Sequence, residues 1–365
     1  MSGLVYAAGR PWPQLLKSVL DQLDTAPVGA DLGLVFLADP ATEMADVMLD
    51  GLRERTGIRT WLGAASTAVF AAGRELAGDG AIAALPLPLG GAGLLPFSGR
   101  LPAEARQARG GIVHVPDAAD AGQAFAALAA GAGCPLAGGQ SASAFDHAQI
   151  TVTPSAGAAT GVLFTGDIRL VTGVSHGCEP LGPVHRVTGG KGAVVTSLDG
   201  RPAVEVLAAA AGDLLVHEPR LLARQILAAG HHQGDRLATG LAGHADLYAI
   251  THADRLGGGI ELAGLRPGAS LPSRLAFWRR DPALGLRELT DLARDLRQEL
   301  AGRPPRVALL YSSIERGGRF FGPGVDEAAV LAQALGPVPL IGMRSAAEVA
   351  GSGLTRYAAV LALIA

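Results

Sequence analysis

Only two of the 365 residues are cysteines, Cys134 and Cys178. Two thiols supply neither a disulfide framework nor a zinc set, which points to a reduced, cytoplasmic chain. Lysine is as scarce, at Lys17 and Lys191 alone, and asparagine is missing altogether. Charged residues make up 17% and leave a net charge of −3, which gives no basic patch for nucleic acid or an anionic membrane. No apolar run reaches the ~18–20 residues of a membrane span. The opening Met1-Ser2-Gly3-Leu4 lacks the basic and apolar regions of a signal peptide. Aromatic residues are 4% of the chain, so its 49% of hydrophobic residues must build a core mostly from Ala, Val and Leu. That is enough for two ordinary domains or one large one.

What is present repeats. Three stretches open on a short apolar run, Leu32–Leu37, Gly111–Val115 and Val307–Tyr311. Each continues through a polar turn into an Ala/Leu-rich helix. Each then reaches a second apolar run that closes on Gly-x-x-Ser: Gly63 to Ser66, Gly138 to Ser141 and Gly342 to Ser345. A further strand-like run follows at Ala81–Leu87, Val162–Ile168 and Tyr357–Ile364. Apolar runs of this length suit strands buried on both faces, and their alternation with helices indicates the α/β class. The expected architecture is therefore mixed sheets built from strand–helix–strand–turn–strand units in two related α/β domains, 1–196 and 197–365.

Asp39-Pro40 and Asp281-Pro282 each place a capping carboxylate before a proline at the first helical position. The first helix would bury Met44, Val47, Met48 and Leu52, and the second Leu286, Leu289, Leu292, Leu296 and Leu300. Two stretches rich in Gly, Pro and Ala, Leu87–Arg109 and Thr153–Gly161, read as loops. The section from Gly189 to Arg280 breaks the repeat pattern, with helix-like runs at Ala203–Ala211 and Leu221–Ala229.

Candidate chemistry gathers at a few places. In Gly-x-x-Ser the glycine permits close approach of a ligand and the serine can donate and accept, so Gly63, Ser66, Gly138, Ser141 and Ser345 are candidate ligand contacts; a tight turn is the alternative. The turn His176-Gly177-Cys178 places an imidazole and a thiol two residues apart, facing one way if they lie on a strand. It could line a ligand or supply a haem axial ligand. The Tyr311–Gly322 segment follows a repeat strand, where α/β sheets bind ligands. Its Arg316 and Arg319 suit a carboxylate or phosphate. No catalytic constellation emerges. The Gly-x-Ser-x-Gly lettering at Gly173–Gly177 is followed by Pro180 and Pro183 rather than by a helix. His231, His232 and His244 lack a second ligand set, so no metal site is expected.

At these residues the chain resembles the FIST family, the F-box and intracellular signal transduction proteins. The N-terminal part is similar through Asp31–Phe36, Gly63–Ser66, Ala72–Leu76, Leu136–Gly139, Phe164–Asp167 and His176–Gly182. The C-terminal part is similar through Leu198–Ala203, Phe277–Asp281, Tyr311–Gly322 and Pro339–Val349. The resemblance implies a bacterial sensory module made of FIST N and FIST C regions, which binds a small molecule such as an amino acid and does not turn it over. It signals through a separate protein such as a histidine kinase. Some members of this type bind haem and sense nitric oxide. The resemblance adds Arg279, Gly317 and Glu348 to the candidate ligand contacts. The third-repeat loop departs from the family pattern, with Ser313, Ile314 and Glu315 where Cys, a variable residue and Gly are expected. Ala346-Ala347 likewise replaces a Tyr-Gly pair. The ligand is then expected to differ from that of relatives. Arg316→Ala is expected to weaken its binding without unfolding the protein. The competing readings are a haem-based nitric oxide sensor and a protein-interaction scaffold without a ligand.

Overall fold

The three repeats share a parallel strand pair, and glycine is what lets that pair close. In the computed structural model, residues 3–9, 11–23, 30–118, 120–145, 149–150, 157–212, 218–232, 246–254, 256–265 and 269–365 are described. The first repeat runs β1 (Val5–Ala8), α1 (Trp12–Leu23), β2 (Leu32–Ala38), α2 (Ala45–Thr56), β3 (Trp61–Ser66), β4 (Ala68–Ala71), β5 (Arg74–Ala77) and β6 (Ala81–Leu87). The second runs β7 (Gly93–Ser98), β8 (Gly110–Val115), α3 (Ala121–Ala132), β9 (Leu136–Gln140), β10 (Gln149–Ile150) and β11 (Thr160–Thr165). The third opens with β12 (Leu170–Ser175). It resumes after a long excursion with α6 (Pro282–Glu299), β21 (Val307–Ser313), α7 (Gly317–Phe321), α8 (Glu327–Leu335), β22 (Leu340–Ser345), β23 (Glu348–Ala350), β24 (Gly353–Thr355) and β25 (Ala359–Ile364).

Each repeat forms the heart of its own sheet. β2, β8 and β21 lie parallel to β3, β9 and β22 and antiparallel to β6, β11 and β25. The register sets Val35 against Gly63, Val113 against Gly138 and Leu310 against Gly342. A Cβ at these glycines would fall 1.5, 1.7 and 1.8 Å from the carbonyl oxygens of Val35, Val113 and Leu310. The repeated glycine admits the neighbouring strand's backbone. The close approach expected of a ligand is made by the protein itself.

The strands that follow each pair leave their own sheet. The β4–β5 hairpin pairs with β22 of the third repeat, the β23–β24 hairpin with β9 of the second, and β10 with β3 of the first. The exchange is cyclic and gives sheets ordered β1-β6-β2-β3-β10, β7-β11-β8-β9-β23-β24 and β12-β25-β21-β22-β4-β5. Their inner faces meet in one core, to which Leu34 and Phe36, Ile112 and Phe164, and Leu309, Tyr311 and Met343 all contribute. Phe36, His114 and Tyr311 hold the equivalent position in the three repeats, and their ring centroids lie 5.5 to 6.0 Å apart. His114 Nε2 and the Tyr311 hydroxyl are hydrogen-bonded at 3.0 Å. Burial pushes the His114 imidazole down to about 3, partly offset by the backbone of Gly63, so it stays neutral. Helices cover the outer faces: α1 and α2 through Leu15, Val19, Met48 and Leu52, α3 through Phe125, and α6 and α8 through Leu289, Leu296, Leu331 and Leu335. Fully burying each such side chain contributes about 1.5–3 kcal/mol.

The excursion, His176–Glu288, is a second compact unit; Met1–Ser175 and Leu289–Ala365 make up the first. Its strands are β13 (Cys178–Pro180), β14 (His185–Lys191), β15 (Val194–Leu198), β16 (Arg201–Pro202), β17 (Ile226–His231), β18 (Asp246–Ala253), β19 (Ile260–Ala263) and β20 (Arg274–Arg280), with helices α4 (Ala203–Ala211) and α5 (Pro219–Gln225). All pairings are antiparallel, and the ring β20-β14-β15-β19-β18-β17 closes through β17 on β20. Phe277, Ile250, Leu262 and Leu207 are among its core.

The α/β class with mixed sheets holds, but the chain divides elsewhere than at 196/197. All three repeats share one unit, and the other is an antiparallel barrel inserted between β12 and α6. The loop expected over Leu87–Arg109 contains β7, and the helix expected over Leu221–Ala229 ends at Gln225, where β17 begins. Of the loop expected over Thr153–Gly161, residues 153–156 lie outside the described residues, and β11 begins at Thr160. Asp39 caps no helix: its carboxylate accepts from the Thr42 and Ser143 hydroxyls and the Ala144 N–H. Asp281 does cap, accepting from the Leu284 N–H at 2.9 Å. Val47 faces outward, and Leu49 takes its place in the core.

Candidate functional site

A dense, buried polar cluster of the first unit lies at the carboxyl ends of β21 and β22. Parallel pairing brings Ser312 level with Arg344 and Ser313 level with Ser345. Arg344 Nη1 donates to Glu327 Oε1 at 2.6 Å and to the Ser312 hydroxyl at 2.8 Å. Ser312 in turn donates to the same carboxylate oxygen. Arg316 Nε donates to Glu327 Oε2 at 3.0 Å, and its Nη1 to the Ser175 carbonyl. The guanidinium of Arg316 stacks over Phe320 and Phe321, and that of Arg344 over Phe70. The other edge of Arg344 holds Glu75 in a two-pronged bond, Nε to Oε1 at 3.0 Å and Nη2 to Oε2 at 2.5 Å. Gly317 has φ +60°, and a Cβ there would sit 2.9 Å from Arg344 Nη2, so the glycine makes room for this guanidinium.

Depth decides the electrostatics. The side chains of Arg316 and Glu327 are 0% exposed, that of Arg344 4% and that of Glu75 30%. Burial drives the Glu327 carboxyl up. The charges of Arg316 and Arg344 and the Ser312 hydroxyl more than offset this and hold it below its ordinary range. Glu348, on β23, is also fully buried. It accepts from the Ser345 hydroxyl at 3.1 Å and from the Ala358 N–H at 3.3 Å. Tyr357, with φ +59°, immediately precedes that N–H. Burial raises the Glu348 carboxyl well above its ordinary value of 4.5; those two donors and the charge of Arg316 only partly restrain it. Its folded form binds a proton more tightly than its unfolded form. The stability this gives is complete below pH 4.5 and is lost as pH rises toward the folded value. Glu348→Gln keeps the shape without the titration. It should stabilise the fold above pH 4.5, with a gain growing by up to about 1.4 kcal/mol per pH unit. Unfolding midpoints of both proteins across the acid-to-neutral range check this; a gap that does not vary with pH would contradict it.

Other expected contacts are internal. Ser66 donates to the Arg344 carbonyl, Ser141 accepts from Gln149 and Ser345 serves Glu348; all three are buried. Arg319 is exposed on α7. His176 and Gly177 lie between β12 and β13, outside either strand, so the shared strand face expected for His176 and Cys178 does not exist. Gly177 (φ +64°) donates to Glu288 at 2.8 Å, and a Cβ there would meet Gly285 Cα at 2.7 Å, so it is a packing residue of α6. Cys178 Sγ lies 3.5 Å from the His176 carbonyl. Arg279 is exposed and faces Glu179 at 3.7 Å. A cavity of about 810 Å³ lies between α4 and the Leu256–Gly258 turn. Among the described residues its lining, which includes Arg201, Glu205, Ala208 and Leu256, has no histidine to ligate a haem iron. Among the described residues no group of three or more His, Cys, Asp or Glu could hold a metal; His244 lies outside them. Sequence reasoning missed Arg344, Glu327 and Glu75. The available signal was a charge inside the apolar run Leu340–Ser345 and an acid one residue after the cap Asp326.

Residues 31–201 match the FIST N domain model, a span that takes in the first repeat from β2 onward and the second repeat, and reaches into the barrel unit. An uncharacterized protein of Mycobacterium tuberculosis is 33% identical over 187 residues, 49% of this chain and 45% of the relative. One of Mycobacterium bovis is 31% identical over 189 residues, 52% of this chain and 47% of the relative. The chain thus spans about half the length of the curated relatives it matches. The FIST domain belongs to sensory and signal-transduction proteins.

Proposed function

We propose that this chain is a sensory module without turnover, which takes a small carboxylate at the ends of β21 and β22 and signals through a separate protein. The observation that carries the reading is the pair of guanidiniums, Arg316 and Arg344, sunk at the carboxyl ends of two parallel strands and already set to grip carboxylates. Both are held in place before any ligand arrives, so little ordering cost would fall on binding. The FIST N match supports the sensory class. The altered third-repeat loop supports a ligand of this protein's own.

A thermal-shift screen of amino acids, acyl carboxylates, nucleotides and haemin tests it. A ligand at about 100 times its Kd adds about 2.7 kcal/mol, which for a chain this long raises the midpoint by several degrees. One carboxylate hit is expected. Arg344→Lys keeps the charge and loses the fork, so it should bind that hit at least about tenfold more weakly. A flat screen would favour the scaffold. A haemin hit unaffected by Arg344→Lys would favour the gas sensor.

A further inference from the structure

The guanidinium of Arg344 is divided between two kinds of partner. Its Nη1 side is committed to Ser312, the Ser313 carbonyl and Glu327, all deep in the unit. One face lies against Phe70, with the guanidinium carbon 4.9 Å from the ring centroid. Its Nε–Nη2 edge meets Glu75 alone among the bonds described, in the parallel two-bond geometry by which arginine receives carboxylates. Glu75 differs from the rest of the network. It is the member with substantial solvent access. It comes from β5, the outermost strand of its sheet, four residues long and, among the described residues, paired with another strand on one side only. It also belongs to the exchanged hairpin, so a strand of the first repeat brings a carboxylate to an arginine of the third. Beyond β4, the hairpin end is tied through the Glu75 N–H to the Asp326 carboxylate and through the packing of Gly73 on Ala332.

We infer that the Nε–Nη2 edge of Arg344 is a carboxylate receptor occupied by Glu75, and that a small carboxylate binds by replacing Glu75 there as β5 moves off. The inference rests on the sensory reading above and narrows it to one edge of one side chain. The geometry of the receptor does not change when its occupant does. The Phe70 face and the Glu327 side keep the guanidinium fixed, and only the partly exposed carboxylate is exchanged. The movement of β5 then reports occupancy at the surface of the unit.

Acetate is the probe, with chloride at equal ionic strength as the control. In Glu75→Ala the receptor is vacant, and acetate should raise the unfolding midpoint by about 2–4 °C, where chloride does not and where the parent barely responds. Equal responses of parent and variant, or none in either, would overturn the inference. If Glu75→Ala does not fold, Glu75→Gln replaces it. The carboxamide keeps the side chain's size but presents an NH₂ to one arm of the fork. Acetate should then half-saturate the variant at least about tenfold below the parent; an unchanged value overturns the inference. The two readings fail separately. A parent hit from the screen whose affinity ignores Glu75→Gln removes the receptor and leaves the sensory module. A Glu75→Ala protein that answers acetate, with no parent hit, keeps the receptor and removes the module.

Discussion

Gly63→Ala is expected to cost more than about 4 kcal/mol and to leave little soluble protein. The added methyl would lie 1.5 Å from the Val35 carbonyl oxygen, and that atom is backbone in a central parallel pair with no rotamer to change. Relief requires β2 and β3 to part, and both are buried on two faces. Gly353→Ala is the control, because a Cβ there meets nothing within 4 Å. Soluble yield and urea unfolding of the two variants decide the matter. A Gly63→Ala protein within about 1 kcal/mol of its parent would show that the strands close differently.

The second large effect is expected at Glu327. Glu327→Ala removes the carboxylate shared by Arg316 and Arg344, leaving two buried guanidiniums without their common partner. Breaking a buried pair costs about 3–5 kcal/mol, mostly as the desolvation of the charge left behind. The urea midpoint at neutral pH should fall accordingly with the slope unchanged. A loss below about 1 kcal/mol would mean that water reaches the network. The same reasoning revises the expectation for Arg316→Ala. That variant deprives fully buried Glu327 of one partner, so lost stability and lost binding would be confounded. Arg344→Lys and the Glu75 variants, which keep a charge in place or alter the partly exposed end of the network, are the cleaner probes.

The repeats were legible because strands buried on both faces write themselves as continuous apolar runs, and because the same glycine is required three times. What the glycine serves was not legible. A residue that admits a ligand and one that admits the neighbouring carbonyl leave the same letter in the chain. The exchanged hairpins left no local mark either: β4 and β5 are four residues each, and the partner β22 lies some 270 residues away in sequence. The barrel defeated the helix reading at Leu221–Ala229 because Ile226–Ala229 is as apolar as a helix face. Pairing with β18 and β20 makes it a strand. Among site residues, Arg316, Gly317, Ser345 and Glu348 fall in or beside the polar cluster. Arg319 and Arg279 face outward, since an arginine's spacing from a glycine does not reveal which way its strand or helix turns.

The cyclic exchange of strands also bears on how such a protein can change over generations. In a solenoid each repeat touches only its neighbours, and copies can be gained or lost at an end. Here the first repeat lends to the third, the third to the second and the second to the first. The debts form a closed circle with no first or last member. A fourth copy would find no sheet lacking a strand, and deleting one would strand the hairpin it hosts and expose the edge it covered. Novelty can enter such a ring only between its strands, as the barrel between β12 and α6 does.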